Sequence, residues 1–138
     1  MDMKTAFFSL NWPAVLTAAL SAFAIGGLWY SPALFGKAWM RINNFTDEYL
    51  RQGNQIMIFG TSLLLSLIAS FFLGMFIGPT ADIMFGATAG CMAALGWVAT
   101  FVGIHYLFER RSLALFAINA GYSIVALTVM GAILGAWR

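Results

Sequence analysis

Residues 12–30, 56–78, 83–108 and 113–137 contain no Asp, Glu, Lys or Arg. As helices, the first two of these stretches are about 28 Å and about 34 Å long, against a hydrocarbon core of about 30 Å. Composition leaves little room for a water-soluble alternative. Hydrophobic residues make up 62% of the chain and charged ones 9%, where a soluble domain carries about 25% charged residues. With a mean hydropathy of +0.87, the chain cannot cover a folded surface with polar groups, and lipid becomes its solvent. The expected fold is an all-α membrane protein, a four-transmembrane-helix bundle forming a single integral domain over residues 1–138.

The boundaries of the spans are marked by residue type. Asn11 can cap the first span, and Pro13 falls in its first turn, where a missing N–H costs nothing. The span ends in Trp29-Tyr30-Ser31-Pro32, a mixture of rings and a helix breaker that a membrane–water boundary selects. A small-x-small pattern at Ala22-Phe23-Ala24 would suit a cleaved signal peptide, but the apolar run continues past it unbroken. Over residues 33–44, Leu34, Phe35, Ala38, Trp39 and Ile42 fall on one helical face and Lys37, Arg41 and Asn44 on the other. This describes a short interfacial amphipathic helix after the first span. Thr46-Asp47-Glu48 reads as a capped helix start, and Asp82 stands at the favourable end of the third span. Trp137 and Arg138 close the fourth span with another boundary pairing.

Small residues recur every four positions in each span: Ala18, Ala22 and Gly26; Ser62, Ser66, Ser70, Gly74 and Gly78; Gly86 and Gly90; Gly131 and Gly135. Such stripes let helices approach closely in lipid, where dispersion and weak Cα–H contacts replace the hydrophobic drive. They are the expected helix-packing residues. Packing this close leaves no wide aqueous pore through one copy, and stripes left over are open to a partner chain or a second copy.

Chemistry has few places to live. His105 is the one ionisable residue well inside a span, with Glu109 one turn on, about 6 Å away on the same face. Asn119 and Tyr122, just past the following turn, are expected at the same depth as His105. Together with Trp29, Tyr30, Ser31, Lys37 and Trp39 they form the candidate ligand- or partner-facing rim. The bland alternative is that His105 and Glu109 anchor the interface and that the amide and phenol tie helices together. No second His accompanies His105, so no metal site is expected. No nucleotide, nucleophile-elbow or zinc-protease motif occurs, so no catalytic residue and no cofactor is assigned. Ion-coupled transport normally needs carboxylates in mid-membrane, and these spans have none. Met57, Met75, Met84, Met92 and Met130 follow no repeat and read as gap-filling core. Cys91, the single cysteine, reads as a small buried residue. A net charge of +2, with no dense basic cluster, excludes nucleic acid as the expected partner.

Lys37, Arg41, Arg51, Arg110 and Arg111 fall on one side of the four spans, and Lys4 and Arg138 on the other. The excess expects the basic loops in the cytoplasm and both termini outside, in a multi-pass protein of the inner membrane.

Asn11-Trp12-x-Ala14-Val15 and Trp29-Tyr30-Ser31-Pro32-x-x-Phe35-Gly36-Lys37-x-Trp39 resemble the signature of the family called domain of unknown function 1761. His105-x-x-Phe108-Glu109, Asn119-x-Gly121-Tyr122 and the run from Gly131 to Trp137 are similar to its C-terminal half. The resemblance spans nearly the whole chain and implies a small bacterial or fungal membrane protein without an established activity. The leading expectation is a non-enzymatic structural or accessory subunit, packed in lipid against itself or in a larger membrane complex. A small carrier or channel for an uncharged or lipid-like molecule is the alternative. A lipid- or quinone-acting enzyme is a third reading, which needs His105 and Glu109 to converge with another polar group.

Overall fold

A computed structural model describes residues 2–137, and every regular element among them is helical. Arg138, set beside Trp137 in the sequence, lies outside the described residues. In chain order the elements are α1 (Met3–Phe8), α2 (Trp12–Trp29), α3 (Gly36–Asn43), α4 (Asp47–Gln52), α5 (Gln55–Ile77), α6 (Ile83–Phe108) and α7 (Leu113–Ala136). Four of them, α2, α5, α6 and α7, are long and apolar enough to cross a membrane, so the chain has the architecture of a multi-pass membrane protein. Within lipid each span must close its own backbone hydrogen bonds, and its first N–H groups need a partner from outside the helix. Asn11, Asn54, Asp82 and Ser112 supply one at the head of each span, accepting from the N–H of Ala14, Met57, Phe85 and Leu115 respectively.

α7 is the hub, touching α2, α5 and α6, while α2 also packs along α5. The core is built chiefly from alanines: Ala14, Ala18 and Ala22 of α2 meet Leu73 and Ile77 of α5 and Ala126, Met130 and Leu134 of α7. Small residues bring the backbones near enough for one hydroxyl to bridge them. Ser70, fully buried, donates to the Val15 carbonyl at 2.7 Å. The closest approach is that of α6 to α7. A Cβ built on Gly86 would land on the Gly131 carbonyl oxygen, one on Gly131 on that of Gly86, one on Gly90 on that of Leu127, and one on Gly135 on that of Asp82. Large side chains such as Phe72, Phe76, Met84, Phe101 and Leu107 face outward, as lipid permits.

Two features depart from a plain four-rod picture. The segment before Leu10 forms α1, capped by Asp2 and packed on α5, with Phe7 edge-on to Phe71 at 6.2 Å. Six residues are too few to announce a helix by periodicity. Further on, α6 contains a π-helical turn at Ala94–Val98, which accommodates one extra residue. The Thr100 hydroxyl donates to the carbonyls of Gly96 and Trp97 there, at 2.9 Å each.

Candidate functional site

The polar groups of the bundle gather at the end that carries Lys37, Arg41, Arg51, Arg110 and Arg111, hereafter the basic end. The chain enters this region through the turn after α2. The Phe35 N–H donates to the Trp29 carbonyl and that of Gly36 to the Ser31 carbonyl. The turn closes so tightly that a Cβ on Gly36 would meet the Tyr30 carbonyl oxygen. For this reason α3 begins at Gly36, later than the amphipathic pattern starts. Lys37 and Arg41 are exposed on α3, while Ala38, Trp39 and Ile42 are half-buried on its other side.

This turn aims two rings at α7, those of Trp29, the last residue of α2, and of Tyr30, which caps it. The Trp29 indole N–H donates to the Ile118 carbonyl at 2.9 Å, and its ring lies against Phe35. The Tyr30 hydroxyl donates to the Asn119 side-chain oxygen at 2.6 Å, and the Asn119 amide donates to the Tyr106 hydroxyl at 2.5 Å. One amide of α7 thus joins a phenol of α2 to a phenol of α6. One turn along, Tyr122 donates to the Ala22 carbonyl at 2.9 Å, and its ring meets that of Tyr30 at 5.6 Å. Trp39 of α3 stands edge-on to Tyr30 at 5.6 Å. The turn between α6 and α7 is tied in as well. Arg111 donates to the Asn43 side chain at 3.2 Å, and its guanidinium lies 5.8 Å from the centre of the Tyr106 ring.

Of the residues singled out in the sequence, Trp29, Tyr30, Trp39, Asn119 and Tyr122 come together in this cluster. Ser31 donates to the Leu28 carbonyl inside the turn at 2.6 Å, and Lys37 stays on the surface. His105 and Glu109 do not join: both are exposed, and Glu109 merely follows the last turn of α6. The expected meeting of His105 with Asn119 is made instead by Tyr106, and the π-turn explains the substitution. Counted at about 100° per residue from Ala94, which is fully buried, position 105 of an uninterrupted α-helix would face inward. One inserted residue passes that place to position 106. Tyr106 carried no sequence signal apart from its neighbours; Asn43 and Arg111 gain their part only through the tertiary fold.

The polar side-chain groups of Trp29, Tyr30, Tyr106, Asn119 and Tyr122 are all hydrogen-bonded within the chain. Among the described residues no buried side-chain nitrogen or oxygen lacks a hydrogen-bond partner, and no group of three His, Cys, Asp or Glu residues could hold a metal ion. The geometry is that of a clasp holding α2, α6 and α7 at one depth.

A family model described as a protein of unknown function (DUF1761) matches residues 13–135. Neither a curated protein nor a solved structure matches the chain.

Proposed function

We propose, for a chain that belongs to this DUF1761 family, a non-enzymatic accessory role: a pre-clasped membrane bundle that associates through α5 with a second copy of itself or with a larger membrane complex. The first half of α5 carries this reading. In its second half the small-residue stripe is in use, with Ser70 bonded to α2 and Gly74 buried beside Leu10. The same stripe runs back through Ser66 and Ser62, yet there the hydroxyls turn onto carbonyls of their own helix, those of Ser62 and Ile58. Nearby Ile56 and Met57 are 87% and 67% exposed. A helix that meets this stretch gains close backbone contact without unfolding anything. The closed clasp supports a structural role in the same way, since its polar groups are committed to one another.

The setting is the inner membrane, with the basic loops in the cytoplasm and the termini outside, on the strength of the lysine and arginine excess. Cys91 is the single native cysteine, so the association is testable by disulfide trapping in native membranes. In a Cys91→Ser background, Ser62→Cys and Ser66→Cys are expected to give a covalent dimer, or a cross-linked complex, on mild oxidation. Thr88→Cys on α6 is expected to stay uncoupled. A protein that gives no cross-link from either α5 position, and that native mass spectrometry finds monomeric and without companions, would remove this reading.

A further inference from the structure

Toward the basic end α6 and α7 separate around the rings of Tyr106 and Phe116, whose centres are 6.5 Å apart. A groove of about 490 Å³ opens beside them, a volume in the range of small-molecule sites. Its walls are apolar, with Ala99, Ile104, Leu107, Leu113 and Phe116 among them. Thr100 also lines it, but its hydroxyl is turned back onto the helix carbonyls. Charge and hydrogen-bonding capacity are concentrated at one end, where Arg111 and Ser112 stand at the turn. Arg111 is held there by Asn43 and by the Tyr106 ring, so little side-chain freedom remains to be lost on binding. The head of α7, a helix of 24 residues, adds partial positive charge at the same end.

We propose that this groove seats one acyl chain of an anionic phospholipid, with the lipid phosphate against Arg111. A water-soluble ligand would need polar partners along the walls, and the hydroxyls of Thr100 and Tyr106 there are already engaged within the chain. An acyl chain needs the opposite, an apolar trough that runs with the helices and ends at headgroup depth. A guanidinium suits a phosphate because its planar donors can engage two oxygens together. A zwitterionic headgroup would bring its ammonium beside Arg110 and Arg111, which disfavours it against a net-negative one. The inference stands apart from the α5 association, since α5 supplies no wall of this groove.

Native mass spectrometry of the detergent-purified protein, titrated with phosphatidylglycerol and with phosphatidylcholine of the same chains, tests it. Retention of one phosphatidylglycerol is expected to exceed that of phosphatidylcholine about fivefold. Arg111→Gln is expected to erase the difference. Ile104→Trp, an exposed position on the groove wall, is expected to lower retention of both lipids. Arg51→Gln, a basic residue off the groove, is expected to change nothing, and Asn43→Ala to leave most of the preference in place. Equal retention of the two lipids by the native protein would overturn the proposal. So would retention unmoved by both Arg111→Gln and Ile104→Trp, or full loss of the preference in Asn43→Ala, which would assign the arginine to tethering α3.

Discussion

Asn119 shows what a single polar side chain can do between helices that lipid alone would not hold in register. Its oxygen accepts from Tyr30 and its amide donates to Tyr106, so α2 and α6 are fixed at one height on α7. Interhelical hydrogen bonds in membranes contribute about 0.6 kcal/mol on average. Tyr106→Phe, which removes one of the two, is therefore expected to destabilise the fold by about that much. Asn119→Leu strips partners from both phenols and is expected to cost about 1–3 kcal/mol, the penalty for leaving buried polar groups unpaired. His105→Leu is expected to fall within about 0.5 kcal/mol of the native protein, as exposed substitutions do. Unfolding titrations in mixed micelles, followed by tryptophan fluorescence, would rank the three. A His105→Leu loss as large as that of Asn119→Leu would contradict the outward placement of His105.

The helices are legible in the sequence because lipid leaves a chain few choices. An uncharged run of the right length specifies a span, and all four spans were visible on that ground. The opening residue was read only for the first and third, at Asn11 and Asp82, while Asn54 and Ser112 took their capping roles from the structure. Which face each helix turns inward is harder to read. A four-residue stripe marks a helix able to pack but does not say how far along it a neighbour extends. Gly86, Gly90, Gly131 and Gly135 meet one another, whereas the stripe of α5 is occupied only from Ser70 onward. The π-turn in α6 carries no sequence mark at all, because nothing in Ala94-Leu95-Gly96-Trp97-Val98 forbids an ordinary α-helix, and with it went the distinction between positions 105 and 106. Removing one residue, Gly96, tests this register directly. The deletion is expected to restore an ordinary α-helix in which Tyr106, now one position earlier, keeps the inward place. The bond between Asn119 and Tyr106 then survives, and Tyr106→Phe still costs the shortened chain about 0.6 kcal/mol; loss of that effect would contradict the register. Contact between α6 and α7 separates two kinds of glycine as well. Gly131→Ala must push a Cβ into the Gly86 carbonyl and is expected to cost about 1–3 kcal/mol, the usual price of overpacking. Gly27→Ala, where nothing lies within 4 Å of the new Cβ, is expected to be neutral to slightly stabilising, since alanine is the better helix former. Comparable losses at both positions in the same titration would argue against backbone contact at Gly86.

At the scale of the whole molecule, two asymmetries lie along one axis. The end of the bundle with Gly86 and Gly135 is closed by backbone contact and by the Asn11 amide, which donates to the Trp137 carbonyl at 3.2 Å. The opposite end holds the clasp, the groove and the interfacial helix α3, together with Lys37, Arg41, Arg51, Arg110 and Arg111. Arginines that need headgroups are thus collected at the end that holds the clasp. The other end presents α1, the rings of Phe7 and Trp12 packed on Phe71, and the turn through Pro79 and Thr80. Insertion reads the same difference, because translocating an arginine-bearing short loop is unfavourable while the turn at Pro79 and Thr80 carries no lysine or arginine to retain it. A reporter active only outside the cytoplasm, fused after Arg138, is accordingly expected to be active, and one fused within residues 109–112 to be silent. Replacing Lys37, Arg41, Arg110 and Arg111 by Gln while placing two lysines at Pro79 and Thr80 reverses the bias and is expected to move a measurable share of molecules to the opposite orientation. If the reporter pattern is unchanged by that exchange, charge does not set the orientation, and the groove would then have to be matched to whichever leaflet the α6–α7 turn is found to face.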